Sequence, residues 1–347
     1  MIQQLDDIKK FFIETVRDNP RTAVNNTIDK FGITRQAVNK HAQQLVEMGL
    51  ISVEGQTKAT KYSIVKQSIL SHTFEINKST SESDIWSKYV SPHLKGLPSN
   101  VYEIWQHGFT EMFNNAIDHS ESDKVSISLE LSPFDATIII SDLGVGIFKK
   151  IQKANNLEDE RHSLLELAKG KFTTDPARHS GEGIFFTSRM FEKFTIVSGH
   201  VLFAHDDNHK ENVVLDSISD PNTNGVLGTL VLMKTPHDSK ITLASIFDDF
   251  SSPPDSYEFD KTIVPVHLAQ MGDDNLISRS QAKRLLARLD KFRVVNLDFK
   301  GVESVGQAFA DEIFRVYRKQ HPEVKIVPEN MAPRVDMMVK RALANKS

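Results

Sequence analysis

Residues 109–120, FTEMFNNAIDHS, constrain the fold more than any other stretch. Phe109, Phe113, Ala116 and Ile117 recur at three- and four-residue spacing, which a helical period brings to one side. Glu111, Asn115 and Asp118 fall on a second stripe, at i, i+4 and i+7. A helix with one buried face is therefore required. Its column of two carboxylates and an amide is either a solvated face or a binding face.

A chain of 347 residues exceeds one ordinary core, so two or three domains are expected. Hydrophobic residues at 39% and charged residues at 25% fit a globular protein and exclude a disordered one. The net charge of −4 carries no whole-chain nucleic-acid signature, although one domain can still present a basic surface. The absence of cysteine excludes disulfides and thiolate metal sites and suits a reducing cytosol. The amino terminus has no apolar run of signal-peptide length, and Ala136–Ile140 is far too short to span a membrane. A soluble cytoplasmic protein without a membrane partner is the expectation.

The first 66 residues read as three short helices followed by two alternating strands around a glycine loop. Gly32 is a C-cap and Thr34 an N-cap for the third helix. Residues 66–83, rich in Ser and Thr, read as a connector. From 84 to 237 the pattern is two helices to 119, strands at 124–131 and 136–141, and a stretch poor in strand signals (148–180). A helix and strands near 194–204, 212–216 and 226–234 follow. A second connector carries Pro253 and Pro254. From 257 to 347, strands at 262–267, 292–298 and 324–327 alternate with helices at 279–290, 306–319 and 332–344, the order of a small α/β domain.

Three glycine devices follow the acidic helix. In ATIIISDLGVGI, Asp142 leaves a buried strand just before Gly144 and Gly146. A carboxylate there can accept from an exocyclic amine, and the glycines permit close backbone approach. In HSGEGIFF, Ser180, Gly181 and Gly183 open a helix, whose amino-terminal N–H groups suit phosphate. In NGVLGTLVL, Gly228 and Thr229 enter a strand. Each device alone is commonly a simple turn. Their order resembles the GHKL ATP-binding fold of gyrase, Hsp90, MutL, histidine kinases and anti-sigma-factor kinases, over about 150 residues.

That resemblance implies roles for individual residues. Glu111 corresponds to the water-polarising base and Asn115 to the Mg²⁺ ligand. Asp118 corresponds to an acid of the gyrase-like branch that either contacts the nucleotide or supports the residues that do. Asp142 would accept from the adenine amine, with Gly144 and Gly146 lining base and sugar. Residues 148–180 would form the ATP lid, with Lys169 and Lys171 available for phosphate charge. Ser180, Gly181 and Gly183 would cradle phosphates, and Thr229 would support the adenine end. The implied cofactors are ATP and Mg²⁺. The thirteen histidines show no H-E-x-x-H spacing, which argues against histidine metal catalysis. His107 and His162 lie outside any long two-helix dimerisation unit, which argues against a sensor histidine kinase.

Residues 1–66 resemble a winged helix-turn-helix. Between 30 and 65, Lys30, Arg35, Lys40, Lys58 and Lys61 face only Glu47 and Glu54. Arg35, Gln36, Asn39 and Lys40 would meet base edges from the recognition helix, and Lys58 and Lys61 would touch phosphates from the wing. The alternative is a winged helix used for protein contacts. The stretch VVNLDFKGVESVGQAFADEIFRVY, with Asp298 ending a buried strand, resembles STAS domains. Where anti-sigma-factor antagonists carry a phosphoacceptor serine, this chain has Gly306, Gln307 and Ala308, with Ser304 earlier. A docking or homodimerisation surface is its simpler role. The expected architecture is thus multidomain α+β: winged helix (1–66), GHKL α/β sandwich (84–237) and STAS-like α/β domain (257–347). The expected function is an ATP-binding, slowly hydrolysing regulator of transcription. The alternative is a serine/threonine kinase of the anti-sigma type acting on a STAS-like partner.

Overall fold

A computed structural model of the chain describes residues 5–55, 60–77, 80–171, 181–206, 211–216, 226–251, 258–270 and 275–344. Three helices come first: α1 (Asp7–Asp18), α2 (Ala23–Phe31) and α3 (Arg35–Glu47). The Asp6 side chain accepts from Lys9 N, Gly32 closes α2 at φ 62°, and the Thr34 hydroxyl accepts from Ala37 N. These caps satisfy helix ends that would otherwise be orphaned. Strands β1 (Ile51–Glu54) and β2 (Lys61–Ile64) pair antiparallel. Phe12, Val16, Val38, Leu45 and Tyr62 close a core of their own. Phe134 reaches it from a distant turn, with the Arg17 guanidinium 4.6 Å from its ring centre.

A seven-stranded sheet occupies the middle, its strands joined antiparallel in the order β3-β4-β5-β9-β6-β7-β8. The strands are β3 (Gln67–Glu75), β4 (Lys124–Leu131), β5 (Asp135–Asp142), β6 (Lys193–Gly199), β7 (Val201–Asp206), β8 (Glu211–Asp216) and β9 (Val226–Pro236). Two sequence expectations are corrected here. The stretch read as a connector at 66–83 contains β3, an edge strand paired with β4, and its Ser- and Thr-rich character reflects the solvent on its outer side. The single strand expected at 194–204 is a hairpin of β6 and β7, turned at Gly199 with φ 58°.

Helices cover this sheet. After α4 (Glu82–Ile85), a π turn (Trp86–Val90) and α5 (Ser91–Leu94) comes the long α6 (Ser99–His119). Its Trp105, Phe109 and Phe113 are fully buried. The stretch 148–180 holds α7 (Ile147–Asn155) and α8 (His162–Lys169); α9 (Gly183–Met190) follows, and Trp105 of α6 packs edge-on against Phe191 at its end. The second expected connector contains α10 (Leu243–Asp249), started by a reciprocal Thr242–Ser245 capping box.

The last region is a parallel sheet, β10 (Lys261–Pro265), β11 (Val294–Asp298) and β12 (Lys325–Glu329), in that order. Its crossovers run through α11 (Arg279–Leu286), and through α12 (Gln307–Asp311), a π turn (Glu312–Tyr317) and α13 (Arg318–Gln320); α14 (Pro333–Ala344) closes the chain. Middle and last regions share one continuous core from Phe74 to Ala342. Phe185, Phe250, Phe259 and Phe292 join them, the Phe185–Phe259 rings 4.6 Å and the Phe259–Phe292 rings 5.2 Å apart. Among the described residues no helix is long and apolar enough to cross a membrane.

The two separate cores predict an unequal response to one cavity. Ile138→Ala, at a fully buried position of β5, should cost about 2–5 kcal/mol. Hydrogen exchange should show β5 and β11 losing protection together while α1–α3 keep theirs.

Candidate functional site

The β5–β9 register sets Thr229 directly across from Asp142. Asp142, the last residue of β5, is buried, and its Oδ1 accepts from Gly144 N at 2.9 Å and Thr229 N at 3.3 Å. Burial pushes this carboxyl above its ordinary value, against the opposing pull of the two N–H groups. Thr229 Oγ1 in turn accepts from Ile147 N at 3.1 Å, fixing the start of α7. The turn between them is clamped to the end of α6, where Val145 N donates to Ser120 O at 2.8 Å. A Cβ on Gly144 would collide with that same Ser120 carbonyl, so only glycine fits the approach.

Along α6, Glu111, Asn115 and His119 stand one turn apart and line a cavity of about 260 Å³, close to the lower end of small-molecule pockets. Ile140, Ile196 and Val231 from the sheet, with Met112, Ile151, Leu167 and Phe185 from the helices, make it largely apolar. Asp142, Thr229, Gly181 and Gly183 also line it. The Glu111 carboxylate lies directly over Gly183, the first residue of α9, where the helix dipole favours negative charge. One turn back, burial lowers the pKa of His107 while Glu111 opposes the shift. The result is a mostly apolar slot whose wall also carries a buried acceptor, a carboxylate, an amide and a helix amino terminus. Such a slot can take a flat amine-bearing ring joined to an anionic group.

Several expected residues lie elsewhere. Asp118 is exposed and is not part of the cavity wall. Lys169 and Lys171 do not reach the cavity either, which corrects the expectation of two phosphate cations. Lys169 is 1% exposed and its Nζ donates to Glu166 Oε1 at 2.9 Å and to the Arg284 and Ala287 carbonyls at 3.0 Å each. Burial lowers its pKa, while Glu166 holds the charge on. Lys171 Nζ donates to the Lys291 carbonyl at 3.1 Å and lies 5.0 Å from the Phe292 ring centre. Ser180 and Lys58 lie outside the described residues. Gly146, at φ 82°, precedes α7. Arg35, Gln36, Asn39 and Lys40 are exposed together on α3, where Arg35 Nη2 also donates to Asn25 Oδ1 at 2.7 Å, and Lys61 is exposed on β2.

Three polar lining residues, His119, Ser120 and Lys150, were not marked by sequence. His119 continues the Glu111–Asn115 column by one more turn, a signal that the helical spacing already contained. Lys150 lines the same cavity from α7, its Nζ donating to the His119 carbonyl at 2.8 Å and lying 3.2 Å from Glu121 Oε1. Nothing in the local sequence of Lys150 distinguishes it from a solvated lysine.

A family model described as a STAS-like domain of unknown function (DUF4325) matches residues 281–336. The parallel β11–β12 pair and the α12–α13 crossover between its strands lie in that match. The C-terminal region is therefore a STAS-like domain. No curated protein matches the chain.

Asp142 supplies a test of the site. Its pKa is raised above the ordinary 3.8, so the folded chain holds that proton more tightly than the unfolded one. Stability falls as pH rises from 3.8 through the raised value, and the charged form remains a cost at neutral pH. Asp142→Asn keeps a carbonyl acceptor for both N–H groups and removes the charge. Its thermal midpoint at pH 7 should match or exceed that of the wild type; a fall of several degrees would contradict this.

Proposed function

We propose that the chain is a GHKL-type ATP-binding regulator, with a winged helix-turn-helix at its start and the STAS-like domain at its end. The observation that carries this reading is the convergence of Glu111, Asn115, Asp142, Gly183 and Thr229 on one cavity. These residues come from an interval of more than one hundred positions. The apolar slot with the Asp142 acceptor suits adenine, and the amino terminus of α9 suits phosphate. A magnesium ion of this kind needs one protein oxygen, with phosphates and waters filling the rest of its shell, and the Asn115 amide would supply it. The metal would neutralise phosphate charge. Glu111, one turn away, would orient a water for slow hydrolysis. The exposed face of α3, with Arg35, Gln36, Asn39 and Lys40, supports DNA as the partner of the first region, with Lys61 on the hairpin able to meet the backbone.

The STAS-like match favours one other reading, a serine/threonine kinase acting on a STAS-like protein. Within this chain Gly306 caps α12 where an acceptor serine would stand, which leaves Ser304 as the internal candidate. Transfer of label from ATP to protein separates the two readings.

Calorimetry and turnover assays test the nucleotide site. Asn115→Ala should weaken Mg·ATP binding at least about tenfold, the loss of one charge-assisted contact. Glu111→Ala should bind ATP and lose about 10²-fold or more in turnover. A wild type that binds no ATP would sink the reading. Changing Arg35 and Lys40 together to Ala should abolish DNA retardation at low salt, and an unchanged shift would remove the assignment of α3.

A further inference from the structure

Helix α8 faces two ways. Leu167 lines the cavity, while Glu166 and Lys169, both charged, are only 4% and 1% exposed. The two pair with each other at 2.9 Å, and their remaining partners come from the STAS-like side. The Lys169 ammonium bonds the carbonyls of Arg284 and Ala287, at the last turn of α11, where carbonyls lack helical partners and the dipole is negative. Arg288 reaches the second oxygen of Glu166. Thr262 Oγ1, on β10, donates to the Lys169 carbonyl at 2.7 Å. Arg284 also lies 3.5 Å from Glu158, just ahead of α8. The apolar path runs parallel to this network. Phe185 lines the cavity and packs against Phe259, its ring tilted 39° to that ring, and Phe259 meets Phe292 beside β11. Separating α11 from α8 would leave the Glu166–Lys169 pair without the two carbonyls and the Arg288 guanidinium that complete its hydrogen bonding, a costly loss for buried charges. Helix α8 must therefore move with the STAS-like domain.

We propose that the STAS-like domain is an effector of the nucleotide cavity, coupled to it through α8, so that filling the cavity and seating α11 on α8 stabilise each other. The proposal rests on the nucleotide reading above and specifies how that site is regulated. Coupling is reciprocal. Nucleotide tightens the seat of α11, and loosening α11 lowers nucleotide affinity by widening the wall that Leu167 and Phe185 build. Glu111, Asn115 and Asp142 lie outside the Lys169 network and are untouched by changes at its far end.

Arg288→Gly is the variant of choice. Arg288 has φ +62°, a conformation glycine adopts without strain, so the change removes the guanidinium and keeps the backbone. Thr262→Val removes the second tie and serves if Arg288→Gly does not fold. Hydrogen exchange and ATP affinity are measured on the full chain. In the wild type, ATP should slow exchange in α11 and β10 as well as in α6 and α9. The variant should bind ATP about tenfold more weakly, within the usual range of coupling between sites. ATP binding that leaves α11 and β10 unchanged, or equal affinity in variant and wild type, overturns the coupling while leaving the nucleotide site standing. A wild type that binds no ATP overturns both.

Discussion

The pairing of β5 with β9 is the constraint on which the candidate site depends. One antiparallel register puts Thr229 beside Asp142, lets one carboxylate oxygen take N–H groups from both sides, and sets the Thr229 hydroxyl under the start of α7. A slip of one residue would turn Asp142 to the other face of the sheet. The turn that follows is then held against the end of α6, so the strand end and the Glu111–Asn115 column close on the same space. Holding a carboxylate in that apolar corner is unfavourable by itself.

The second organising feature is the core shared by the middle sheet and the STAS-like domain. Six phenylalanines (185, 186, 247, 250, 259 and 292) make successive ring contacts across the boundary. Beside them Lys169 and Glu166 exchange charge with α11 and Arg288. The first region is built differently. It keeps its own core and meets the rest at Phe134 and Arg17. One end of the chain is fused to the region of the candidate site, and the other is a separate unit resting against the β4–β5 turn.

Much of this was legible in sequence because it is local. The α6 periodicity, the strands read at 124–131 and 136–141, the Thr34 and Gly32 caps and the alternation of the last region all follow from side-chain spacing and backbone preference over a few residues. The order of the glycine turns pointed to one site before any contact was known. Strand β3 was missed because an edge strand with one wet side looks like a polar linker. The hairpin of β6 and β7 was read as one strand because Gly199 and His200 interrupt no apolar pattern.

The sequence by itself determined the helix with a polar column, the Asp-Gly-Gly strand end and the glycine-started α9, since each depends on residues within one or two turns. Only the tertiary structure decided what the charges do. Lys169 and Lys171 bracket Gly170 in a basic stretch that reads as phosphate-binding, yet beyond the neighbouring Glu166 their partners are carbonyls more than a hundred positions away. A lysine goes where buried oxygen atoms need it, and the position of those oxygens is set by how α11 packs on α8. That packing is long-range, and no local spacing encodes it.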